Sequence, residues 1–282
     1  MITMLKKIVN KVKTDGLDGI WFRILRLFNK DIFYNNLFEK KKYELSLNLY
    51  KKHNNSVIYG PYKGMFFSEN NHWGIGDLGP KIIGLYEFEV QNKLIDLVSN
   101  FKIENFVNIG AAEGYHAIGI AKKTGIQNFV LYEIDKKGQE ILKENILKNE
   151  LKKNIKIENE ANLNSIYELN KKLDFSKTLF LIDIEGYELE LFNDEILGLL
   201  KNSFLIIENH KFLLSKTKQI KYQELVNKFD DSFNVELVSN TGRNISQINE
   251  IRNFSENELM MISSESRPKM MEWFVLTPKT II

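Results

Sequence analysis

From residue 104 onward, short apolar runs alternate with amphipathic stretches, and that alternation constrains the chain more than any other feature. Candidate strands lie at 104–109, 127–133, 154–159, 178–183, 203–208, 233–239 and 272–277. Helical patterns fall between the first six, at 114–123, 136–149, 163–172, 186–200 and 215–229. Apolar strands separated by helices form βαβ units, whose parallel sheet is covered by helices on both faces. The predicted class is therefore α/β. The last strand, "EWFVLTP", follows a long irregular section and is expected to insert antiparallel.

The upstream part reads differently. Residues 2–13, 17–28 and 32–52 carry helical patterns, "SVIYGPYKGMFF" reads as a hairpin, and "NNHWGIGDLGP" as a glycine-rich loop. "KIIGLYEFEVQNKLIDLVSN" reads as one helix leading into the body. This divides the chain into a basic helical and hairpin extension, 1–80, and a cofactor-binding domain, 81–282. The net charge of +2 conceals an asymmetry, because residues 1–53 carry +7 and the remainder −5.

Two roles fit the leader. Trp21, Phe22, Ile24, Leu25 and Phe28 beside Arg23 and Arg26 suit a helix lying on an anionic membrane surface. The same residues suit packing on the body as a cap over a substrate pocket. Nothing approaches eighteen uninterrupted apolar residues, and no secretory signal pattern opens the chain. Cysteine is absent, which excludes disulfides and thiolate metal sites. A cytoplasmic protein is expected, with peripheral contact at the inner face of the membrane as the leader's alternative.

"FVNIGAAEGYHAIGIAKK", residues 106–123, joins the first strand to the first helix through a G-x-x-x-G turn. Open parallel sheets bind ligands beyond the carboxyl ends of such strands. A nicotinamide-binding turn prefers G-x-G-x-x-G, and the phosphate-binding loop requires G-K-[ST], so neither pattern is met. Glu113 inside the turn would repel a pyrophosphate and suits an ammonium or sulfonium ligand. Glu133 ends the second strand, placed to accept both hydroxyls of a ribose. A ribose plus a cationic amino-acid moiety describes S-adenosylmethionine. The alternative is a purely structural turn followed by a solvated strand end.

"TLFLIDIEGYELELF", residues 178–192, resembles the K-I-D-V-E-G-x-E-x-x-V-L signature of FkbM-type methyltransferases. "GLYEFEV" is similar to the Tyr-Glu element before that family's glycine turn, and "LIIENH" to its strand ending in an acid. The resemblance runs from about Tyr86 to His210. It implies a Rossmann-like seven-stranded methyltransferase fold, S-adenosylmethionine, and O-methylation of a sugar, glycan or related small hydroxylated metabolite. The chain departs from the family turn D-x-G-A-N-x-G, with Asn108 in place of the Asp and Glu113 inside the turn.

The expected cofactor residues are Asn108, Gly110, Ala111, Glu113, Gly114 and Glu133, with Glu160 and Ala161 placed by position near adenine. The resemblance adds Glu87 near the methionine ammonium; a solvated helix residue is the alternative. Gly186 is read as a structural turn, and Glu188 and Glu190 as acids favouring a helix start. His210, past the fifth strand, is the expected general base, supported by Asp183 and Glu208. Asp183, Glu208 and Asn209 also resemble the Mg²⁺ ligands of catechol-type methyltransferases, with Glu for one Asp. The other reading has the two acids orient His210 and the cofactor without metal. His116 is expected at the cofactor edge or in packing. Tyr62 and Trp73 either wall the acceptor pocket or fill a small core. Competing readings are an RNA methyltransferase, opposed by the lack of an aromatic-basic platform, and a non-catalytic scaffold docking a partner.

Overall fold

The computed structural model describes residues 37–69, 75–267 and 269–280. Residues 1–36, with Trp21, Phe22, Arg23, Ile24, Leu25, Arg26 and Phe28, lie outside the described residues, as do His72 and Trp73. Seven strands form one sheet: β1 (Asn105–Ile109), β2 (Asn128–Tyr132), β3 (Asn154–Glu158), β4 (Thr178–Ile182), β5 (Phe204–Glu208), β6 (Phe233–Ser239) and β7 (Glu272–Pro278). Their order is β3-β2-β1-β4-β5-β7-β6. The first five are parallel, and β7 runs antiparallel between β5 and β6. This is the α/β sheet with a reversed last strand expected from the strand spacing, and the Rossmann-like seven-stranded fold that the resemblance implied. Its order reverses between β1 and β4, which opens a crevice there.

The central strands β1, β4 and β5 are buried along their whole length, whereas edge strand β3 is half exposed. Alternate residues therefore feed two cores. Phe106, Leu179 and Leu181 enter one apolar cluster, while Val107, Phe180 and Ile182 enter the other. Side chains also fix the register. Asn154 donates to Asn128 (3.2 Å), Asn128 to Asn105 (3.0 Å) and Asn105 to Thr178 (3.2 Å), a rung across four strand starts.

The helices among the described residues are α1 (Leu37–Lys52), α2 (Leu78–Ile82), α3 (Phe88–Asn100), α4 (Tyr115–Lys123), α5 (Lys136–Lys148), α6 (Leu163–Asn170), α7 (Glu188–Leu191), α8 (Asp194–Leu200), α9 (Lys216–Ser232) and α10 (Glu256–Ser263). Four local expectations change. The stretch 81–100 breaks between α2 and α3 at Gly84, whose φ is +72° and whose Cβ would lie 1.9 Å from the Tyr59 carbonyl oxygen. Residues 186–200 divide into α7 and α8 because Asn193 caps α8 through the Ile196 amide. The glycine-rich loop becomes helical at Leu78, and the irregular section contains α10, closed by a Ser255/Glu258 capping box.

The expected hairpin forms only one bridge, Ser56 to Phe66. Its backbone is held instead by α5: Asn149 accepts from the Phe66 amide and Asn145 from the Ser68 amide. Apolar side chains of this segment share the first cluster with β1 and α4. The contact is tight, since a Cβ on Gly119 would lie 2.5 Å from the Tyr62 ring. Gly119→Val should therefore destabilise by about 1–3 kcal/mol through overpacking. Gly125→Ala, with open space around it, should leave a thermal melt almost unchanged. No helix among the described residues is long and apolar enough to cross a membrane.

Candidate active site

A cavity of about 410 Å³ opens where the carboxyl ends of β1, β2, β4 and β5 meet. Its floor is made by the glycine turn. Gly110 has φ +85°, and a Cβ there would lie 1.7 Å from the Asp183 carbonyl oxygen, so only glycine lets β1 end this close to β4. The amides of Gly110 and Ala111 both donate to the Tyr132 carbonyl, which folds the turn over the end of β2. Gly114 serves packing, because its Cβ would meet Leu142 at 2.3 Å.

Glu133 stands at the cavity, only 4% exposed. One oxygen accepts from the Ala112 amide (2.7 Å) and the other from the Asp135 amide (2.8 Å). The carboxylate is thereby fixed while each oxygen keeps further acceptor capacity. Asn108 also lines the cavity, its amide donating to the Leu181 carbonyl at 3.2 Å. Glu160 lies away from this cavity, in a separate groove with Asn159 and Asn162, and Ala161 beside it is half-buried.

Glu113 does not present its charge to the cavity as expected. It is buried and ion-paired with Lys81 from α2. Burial alone would lower the Lys81 pKa, but Glu113 and Asp77 outweigh it and raise it. Glu87 is likewise no solvated helix residue. Its carboxylate is buried between Arg267 and His116, with His116 Nε2 at 2.8 Å. Burial opposes its ionisation, yet Arg267, His116 and Tyr86 together hold its carboxyl well below the usual range. Tyr62 is buried and places its hydroxyl 3.2 Å from His116 Nδ1, so it belongs to this polar chain and the core rather than to an acceptor wall. With Tyr62 donating to Nδ1, the other ring nitrogen of His116 is left to donate to Glu87.

The second half of the site surrounds His210, which is 1% exposed. Its Nδ1 donates to Glu188 at 2.8 Å. Its Nε2 lies 3.6 Å from Asp183, 3.6 Å from Glu208 and 3.7 Å from Glu185. Burial would lower the His210 pKa, but the Glu188 hydrogen bond and the charges of Asp183 and Glu185 raise it. Burial and the charge of Glu87 push Asp183 up to about 6, against the opposing pull of His210. Burial, Asp183 and Glu87 raise Glu208 further. Proton exchange therefore belongs to the cluster, of which Asp183 and His210 line the cavity.

Asn209 does not join Asp183 and Glu208 as a ligand. Its side-chain amide donates to Glu272 (3.0 Å), and its oxygen accepts from the Lys211 amide (3.2 Å). The expected Mg²⁺ set is thus not assembled. Arg267, absent from the sequence reading, bridges Glu87, Glu208 and Glu265 with its guanidinium 5.5 Å from the Tyr86 ring centroid. No sequence signal marked it, since its partners lie up to 180 residues away.

No family model matches the chain, and no curated protein matches it. Among solved structures, the chain is similar to an O-methyltransferase from Bacillus cereus in complex with SAH, at 14% identity and TM-score 0.47 over 68% of this chain and 82% of that one. It is also similar to the O-methyltransferase TomG from Streptomyces achromogenes, involved in tomaymycin synthesis and solved with SAM, at 10% identity and TM-score 0.44 over 72% and 87%. A third is precorrin-6y C5,15-methyltransferase from Geobacter metallireducens, at 12% identity and TM-score 0.43 over 67% and 87%. At such distances, what this chain does has to be derived from its own residues.

Proposed function

We propose that the chain is an S-adenosylmethionine-dependent O-methyltransferase of the FkbM kind, acting on a sugar, glycan or similar small hydroxylated acceptor. The observation that carries this reading is the charge of the cavity. Seven acidic side chains line it; Lys81 takes up Asp77 and Glu113, and Arg267 takes up Glu87 and Glu265, which leaves Glu133, Asp183 and Glu185 towards a ligand beside His210. A pyrophosphate cofactor or a nucleic-acid backbone would be repelled there, whereas a ligand bearing a sulfonium and an ammonium is attracted. Glu133 suits the ribose hydroxyls, and the glycine turn at Gly110–Ala112 suits close approach of the cofactor.

The cofactor would supply a methyl group on sulfur; its transfer to an acceptor oxygen breaks the S–C bond, leaves a thioether and releases the hydroxyl proton. Positioning accounts for much of such a reaction. The released proton falls to the Asp183–His210–Glu208 cluster beside the cavity, within which Glu188 orients the imidazole. Transfer of radiolabelled methyl from S-adenosylmethionine to sugars, RNA and lipids tests the reading. Label on hydroxylated sugars, reduced at least tenfold in Asp183→Asn, is the expected result. Label on RNA alone contradicts it.

A further inference from the structure

His210, Asp183 and Glu185 form a second arrangement around one point. We propose that they are a binding site for a divalent transition-metal ion, of the Mn²⁺ or Zn²⁺ class. The inference deepens the methyltransferase reading, since all three residues line the same cavity.

The three side chains bring their ligand atoms within 4.8 Å of one another. His210 Nε2 sits 3.6 Å from Asp183 Oδ1 and 3.7 Å from Glu185 Oε2, too far for hydrogen bonds. Donors that share an ion at about 2.0–2.2 Å stand roughly 3.0–3.6 Å apart, so only small movements separate the observed spacing from coordination. Asp183 Oδ1 has no hydrogen-bond partner. The imidazole is 1% exposed, and its Nε2 faces Asp183, Glu185 and Glu208, the last of them held by Arg267, without a hydrogen bond of its own.

The independent indication is behind the ring. Glu188, itself 1% exposed, takes the Nδ1 proton of His210 at 2.8 Å. This carboxylate–histidine pairing fixes the tautomer that leaves Nε2 to bind an ion. A histidine engaged only in charge neutralisation needs no such orientation. Glu185 is held with φ +52°, directly before Gly186 at +97°, and its one polar contact among the described residues is His210 Nε2. Arg267 does not compete, because it is bound to Glu87, Glu208 and Glu265. One imidazole nitrogen with two carboxylate oxygens suits Mn²⁺ or Zn²⁺ better than Mg²⁺, which takes oxygen ligands. A bound ion would lower the pKa of an acceptor hydroxyl directed to it.

Titration calorimetry with Mn²⁺, Zn²⁺ and Mg²⁺ on the metal-stripped full chain tests the site, alongside S-adenosylhomocysteine binding to the same samples. One Mn²⁺ or Zn²⁺ per chain is expected, at least tenfold tighter than Mg²⁺. Glu185→Gln, at an exposed position, should weaken it at least tenfold. Glu188→Gln, acting through ring orientation, should weaken it about 10–100-fold. Glu188→Gln, whose residue lies outside the cavity lining, should keep S-adenosylhomocysteine binding within threefold. Absence of stoichiometric Mn²⁺ or Zn²⁺ binding, or binding unchanged in both variants, overturns the site. Intact S-adenosylhomocysteine binding in that case leaves the methyltransferase reading standing; its loss in the wild type would overturn that reading instead.

Discussion

Arg267→Ala is expected to lower stability by about 3–5 kcal/mol, the usual cost of removing one partner from buried ion pairs. The guanidinium serves Glu87, Glu208 and Glu265, whose side chains are 4%, 1% and 6% exposed. A chain of this size shifts its melting temperature by roughly 2–4 °C per kcal/mol, so the loss is readily seen. The deficit should also depend on pH in a defined direction. In the wild type, burial would raise the Glu87 pKa, but Arg267 and His116 depress it. That depression contributes stability above the unfolded glutamate pKa, and the contribution disappears as pH falls through the folded value. Without Arg267, burial dominates at the three acids and their folded pKa values rise. Stability in the variant is then greatest at low pH and falls as pH rises. Denaturant melts at pH 5 and pH 8 should show the smaller deficit at pH 5. Equal deficits at both would mean that the guanidinium acts through packing alone.

Gly110→Ala should be similarly severe. The substitution combines a left-handed backbone at φ +85° with a Cβ 1.7 Å from the Asp183 carbonyl oxygen. Strain and clash each contribute about 1–3 kcal/mol, giving roughly 2–6 kcal/mol together. Because the clash lies at the junction of β1 and β4, any folded fraction should bind cofactor poorly. Gly64→Ala separates the two terms, since Gly64 has φ +81° but nothing within 4 Å of its Cβ. It should show the strain cost only. A Gly110→Ala protein as stable as Gly64→Ala would mean that β1 and β4 can part without consequence.

What the sequence displayed follows from how far each interaction reaches along the chain. The seven strands were visible because short, mostly apolar runs alternate with helical patterns, and β1, β4 and β5 are buried along their whole length. The glycine turn and Glu133 were visible because strand-end geometry fixes their spacing in a βαβ unit. Arg267 was hidden, since one arginine in an irregular stretch looks the same whether it meets solvent or three buried acids. The partner of Glu113 was hidden for the same reason: Lys81 lies 32 residues earlier, at the start of a stretch read as one helix. Asn209 misled because chain position places a residue at a strand end without fixing its rotamer, and Glu272 on β7 draws its amide away. The Glu188–His210 pair was partly legible, since both residues were noted, but their contact depends on how α7 turns back beneath β5.

The cofactor itself gives the most direct test. Calorimetry of S-adenosylmethionine and NAD binding to wild type and Glu133→Ala addresses the cavity's charge and the ribose acid together. The account predicts that wild type binds S-adenosylmethionine and not NAD. Removing the carboxylate should cost about 1.5–3 kcal/mol, the range for hydrogen bonds to a charged group, and weaken binding roughly 10–150-fold. Equal affinity of wild type and Glu133→Ala, or preference for NAD, would contradict it.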